Sequence, residues 1–123
     1  GDAALQALLN TIATLEVAVE EETAALNAKS HVDLDAFSYR KSQGLIELNR
    51  AMKQLGILPD HVVVMQKLAS LREKLAVNQR TLKFHLEAVR EVSTIIANAI
   101  RESESDGTYS ENIRSPQMSY GYD

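Results

Sequence analysis

The run HVVVMQKLASLREKLAVNQRTLKFHLEAVREVSTIIANAIRESE, residues 61–104, contains neither glycine nor proline. Within it Leu68, Leu71, Leu75, Asn78, Leu82, His85, Val89, Val92, Ile96 and Ala99 recur at alternating spacings of three and four. That is the heptad stripe of a coiled-coil seam, and Leu86, Ile95 and Ile100 lie beside it. The spacing predicts one helix over about 61–104, roughly 66 Å long at 1.5 Å per residue. Asp106-Gly107 is the expected stop.

Two shorter segments precede it. Leu5, Leu8, Ile12, Leu15, Val19, Glu22 and Leu26 form a second heptad stripe, in an alanine-rich stretch that predicts a helix over about 3–28. Lys29-Ser30-His31-Val32-Asp33 interrupts it, with Ser30 or Asp33 as the next N-cap. Leu34, Phe37, Lys41, Leu45, Leu48, Met52 and Leu55 predict a helix over 34–55, with Gly56 as C-cap and Pro59 barring continuation. Asp60 is placed to cap the third helix. The fold class is therefore all-α, an antiparallel bundle or coiled coil of three helices spanning 2–104. Residues 105–123 form an irregular, partner-binding C-terminal tail.

Composition agrees. The 123 residues are 45% hydrophobic and 24% charged, with five glycines and two prolines, which disfavours a strand-rich fold. There is no cysteine, so disulfides and thiolate zinc sites are excluded. No unbroken apolar run approaches the ~20 residues of a membrane span and no signal-peptide pattern opens the sequence, so a cytoplasmic protein without stable membrane insertion is expected. Gly1 stands where an initiating Met is usual and is set aside. The net charge of −4 makes nucleic acid a poor partner. Residues 1–28 carry five acids and no Lys or Arg, whereas 61–101 carry seven basic residues against three acidic ones. Side by side, these segments attract.

Catalytic chemistry finds no footing. His31, His61 and His85 have no ligand-spaced partner, and there is no phosphate-cradling glycine loop or nucleophile elbow. No enzyme, metal or cofactor is expected. His85 invites comparison with histidine phosphotransfer helices, but Leu86-Glu87-Ala88 follows it where an apolar-Lys-Gly stretch belongs. A seam histidine bonded to a polar neighbour is the preferred reading. Glu22 and Asn78 are polar seam residues of the kind that fix register or form a buried switch, and Lys41 is a candidate partner for Glu22 across the first hairpin turn.

Length then exposes a mismatch. Helices of about 39 Å and 33 Å can cover the third only for roughly its first 40 Å, to residues 85–89. Val92, Ile95, Ile96, Ala99 and Ile100 lie beyond. Covering four such side chains is worth roughly 6–12 kcal/mol gross, and a soluble monomer rarely leaves such a face open. The tail folded back, a second copy or a client must cover it. The tail itself holds Tyr109, Ile113, Met118, Tyr120 and Tyr122 among small polar residues, and tyrosine is a favoured contact residue.

Three stretches carry a family resemblance. They are Leu15 to Leu26, ending Glu21-Glu22-Thr23-Ala24-Ala25-Leu26; Lys41-Ser42-Gln43-Gly44-Leu45 with Leu48 and Arg50; and Leu82 to Ile100 running into Ser105-Asp106-Gly107-Thr108-Tyr109-Ser110. Together they resemble the FlgN-type flagellar export chaperones, particularly those of alphaproteobacteria. The resemblance implies a cytoplasmic helical protein that holds hook-associated (hook–filament junction) proteins before type III export. It implies that clients and the export apparatus engage the C-terminal region. That points to Ile95, Ile96 and Ile100, joined by Val92 from the length argument, and to Tyr109, Ile113, Met118, Tyr120 and Tyr122. A coiled-coil adaptor forming a homodimer through the same stripe, and the phosphotransfer module, are the alternatives.

Overall fold

In the computed structural model, residues 2–29, 31–56 and 61–111 are described, without the side chains of Asp2 and of 107–111. Three helices account for almost all of them: α1 (Asp2–Asn27), α2 (Leu34–Leu55) and α3 (Val62–Glu111). No strand occurs among the described residues.

Local chemistry sets the ends. α1 closes where Lys29 takes a left-handed φ of 57° and its N–H donates to the Leu26 carbonyl at 3.2 Å. The Asp33 carboxylate caps α2 by accepting from the Ala36 N–H at 3.0 Å. Gly56, at φ 86°, ends α2 with its N–H on the Met52 carbonyl at 3.1 Å. Ser30, Pro59 and Asp60 lie outside the described residues.

The chain divides into two units, residues 1–85 and residues 86–123. The first holds the bundle. Arg40 bonds Glu21 at 2.8 Å and Lys41 bonds Glu22 at 2.7 Å, so the start of α2 lies beside the end of α1 and the two run antiparallel. Lys74 reaches Glu20 at 3.0 Å and Glu16 at 3.4 Å, and Asn78 reaches Glu22 at 3.0 Å. Residue numbers rise together in these last pairs, so this part of α3 runs alongside α1 in the same direction. The topology is the expected up-down-up.

The core follows the α1 stripe. Leu8, Ile12, Leu15, Val19 and Leu26 are buried, with Ala51 of α2 and Val64 and Leu71 of α3. In α2 one member of the apolar repeat departs from the inward face. Leu45 is exposed, and the inward face instead carries the small residues Gly44 and Ala51. The reason is a close helix approach. A Cβ on Gly44 would lie 2.8 Å from Leu15 Cδ1 and 3.3 Å from Leu15 Cβ. Since Leu15 is buried and has little room to move, Gly44→Val should cost about 1–3 kcal/mol despite valine's better helix propensity. Thermal melting reads this directly, and a variant as stable as the parent would show that the approach is not close.

A correction concerns the end of α3. Asp106-Gly107 does not stop the helix, which continues to Glu111. Once a helix is running, each residue adds a hydrogen bond, and one glycine costs only about 1 kcal/mol relative to alanine. Tyr109 therefore sits on helical backbone, not in an irregular tail.

α1 also meets the length and composition of a membrane span over Ala3–Asn27, with mean hydropathy 1.2. Alanine, leucine and valine raise the average although no unbroken apolar run is long enough. Core helices of soluble bundles meet the same criterion, and the most apolar face of α1 is the buried one.

Candidate binding surface on the third helix

Two features of α3 stand out: a buried polar cluster and an open apolar face. The cluster joins all three helices. Glu22 is only 1% exposed and its carboxylate accepts from Lys41 Nζ at 2.7 Å and Asn78 Nδ2 at 3.0 Å. Lys41 Nζ also donates to Asn78 Oδ1 at 3.1 Å. The Asn78 amide lies 3.1 Å from Thr23 Oγ1 and 3.4 Å from the Val19 carbonyl as well. A buried carboxylate is tolerable only when paired and hydrogen-bonded, and here both conditions hold. The three seam residues singled out in the sequence thus meet at one level and set the register of α1, α2 and α3. Below them Lys74 sits between Glu16 and Glu20. The hydrogen bond to Glu20 is the main cause that holds its ammonium above the usual lysine value of 10.5, against a smaller opposing effect of partial burial.

Asn78 is the last buried side chain of α3 among the described residues. Leu82 and His85 are half-buried, and from Leu86 to Asp106 every side chain except the half-buried Ile100 is exposed. Val92 is 54%, Ile95 61% and Ile96 52% exposed. The heptad seam does not change its spacing at this point: Leu68, Leu71, Leu75 and Asn78 continue as Leu82, His85, Val89, Val92 and Ile96. α3 is uninterrupted at Asn78.

The two halves of the stripe differ in width. Beside the first half lie Lys67, Arg72, Lys74 and Gln79, whereas the corresponding flanks of the second are Leu86, Ala88, Ser93, Ile95 and Ile100. The open half is therefore apolar over about half of its circumference. A surface groove of about 490 Å³ follows it, lined by Ser93, Ile96, Ala97, Ile100, Arg101 and Glu104.

The predicted site residues thus fall into three groups. Val92, Ile95, Ile96 and Ile100 share this helix, the first three exposed. Tyr109 is on the last turn of α3, with its side chain outside the described residues. Ile113, Met118, Tyr120 and Tyr122 lie outside the described residues altogether. Among the described residues the His85 side chain has no hydrogen-bonded polar partner of the kind expected. No group of three His, Asp or Glu able to hold a metal ion occurs among the described residues.

Sequence reasoning missed a second groove, of about 390 Å³, between Thr14, Leu15 and Ala18 of α1 and Tyr39, Gln43 and Gly44 of α2. A lone glycine inside a helical run was the available signal. Compared with family models, curated proteins and solved structures, the chain matches none of them.

Proposed function

We propose that this protein is a cytoplasmic chaperone of the FlgN type, which holds hook-associated proteins for flagellar type III export. The reading is supported most by one observation: a heptad seam that is buried in the bundle continues, in the same register, as an open apolar face over Leu86–Ile100. The resemblance of the three quoted stretches to that family supplies the rest. An assembly protein whose terminal segments become helical only with neighbours in place needs a substitute neighbour beforehand. An apolar helix face offers one, in the helix-in-groove mode. Ordering the segment consumes part of the contact energy, so affinity is modest and release is easy. No catalytic group is required for binding or release. Residues 105–123, with their tyrosines, are assigned to the client and to the export apparatus.

The test is calorimetric titration of the full chain with the terminal segment of a hook-associated protein. The expected result is saturable binding with a gain of helical far-UV signal above that of the separate components, lost when residues 105–123 and the Ile96 and Ile100 side chains are removed. A segment that does not bind, or that binds unchanged without them, refutes the proposal.

A further inference from the structure

The open half of α3 suits one occupant besides a client: itself. We propose that residues 82–100 pair with the same residues of a second copy, antiparallel, about a two-fold axis at Glu91.

Three observations carry this. The first is register. An axis at Glu91 pairs residues whose numbers sum to 182. Leu82 then lies level with Ile100 and Leu86 with Ile96, and Val89 falls within one residue of the level of Val92, so apolar positions meet at both ends and at the centre of the stripe, although Ser93, Arg90 and Glu87 stand level with Val89, Val92 and Ile95. Glu91 itself lies on the side of the helix away from the stripe, so no like charges are forced together at the axis.

The second is charge. Within the paired segment, residues 82–90 carry Lys83 and Arg90 against Glu87, a balance of 2 − 1 = +1. Residues 91–100 carry only Glu91, a balance of 0 − 1 = −1. Antiparallel pairing lays each positive half along a negative half, and parallel pairing opposes like with like. These charges do not flank the seam, so they choose orientation more than they add affinity.

The third is continuity. The face is the uninterrupted extension of a seam that already packs helix on helix in the bundle. Its reach also fixes the strength. Leu86, Val89, Val92, Ile95 and Ile96 are each about half exposed, so a pair of copies has roughly 1,000 Å² of apolar area to bury, below the ~1,600 Å² typical of a stable interface. The pairing is therefore reversible, unlike a permanent adaptor dimer. It occupies the face assigned above to the client, so the two events compete, but the pairing itself does not rest on that assignment.

The absence of native cysteine makes the test clean. Full-length Leu86→Cys and Ile96→Cys proteins are oxidised separately and as a mixture, beside sedimentation equilibrium of the unaltered chain. The expected results are a disulfide formed mainly between Cys at 86 of one copy and Cys at 96 of the other, a mass that rises from monomer to dimer with concentration, and monomer at all concentrations for Ile96→Asp. Three results overturn the proposal: linkage only between identical positions, a chain that stays monomeric at several hundred micromolar, or a dimer that Ile96→Asp leaves intact. Circular dichroism of each variant shows that the helices persist, so a negative result is not one of misfolding.

Discussion

Replacing Lys41 by alanine is expected to destabilise the bundle by about 3–5 kcal/mol, because it strands a buried carboxylate. Glu22 is almost wholly enclosed, and Lys41 is the only cation bonded to it among the described residues. Asn78 would still donate to it, but an amide neutralises nothing. A loss of that size is a large share of the ~5–15 kcal/mol that holds a small domain together. Urea unfolding measures it. The control is the pair Glu22→Leu with Lys41→Met, which removes charge and partner together and should recover most of the loss, since buried pairs often break even with apolar replacements. A Lys41→Ala protein within about 1 kcal/mol of the parent would mean that water reaches Glu22.

The second large effect is on binding, not on folding. Val92→Asp together with Ile96→Asp should weaken client binding at least 100-fold. Two half-exposed aliphatic side chains are worth about 1.5–3 kcal/mol each on full burial, and every 1.4 kcal/mol is tenfold in affinity. Desolvating two carboxylates against an apolar partner adds to the loss. Stability of the bundle should change by no more than about 0.5 kcal/mol per site, since neither residue touches the core. Paired titration and melting curves separate the two quantities. Weakened binding accompanied by an equally weakened bundle would place the effect in folding and remove these residues from the site.

Much of this architecture is legible in the sequence because the physics is periodic. The α1 stripe from Leu5 to Leu26 names most of the core, and the α3 stripe names its partner face. Helix lengths then place the end of burial near residues 85–89, and the last half-buried seam residues before the exposed stretch are Leu82 and His85. Seam polarity is equally readable: Glu22, Lys41 and Asn78 stand out because each violates an apolar pattern, and they find one another. The failures have a common origin in backbone detail. Leu45 belongs to the apolar repeat of α2 yet is exposed, because close approach to Leu15 selects Gly44 for the inward face. The chemistry of Gly107 taken alone predicts a stop, whereas propagation carries the helix past it. The seam position of His85 predicts a polar partner, and among the described residues position does not supply one.

Amide hydrogen exchange along α3 tests the central claim most directly, at a concentration low enough for the chain to be monomeric. The account predicts slow exchange over residues 64–78, fast exchange over 86–104, and at least tenfold slowing from residue 86 onward, with 64–78 unchanged, when a client terminal segment is added. If residues 86–104 in the free monomer exchange as slowly as 64–78, or if the added segment leaves them unchanged, the open face is not a binding surface.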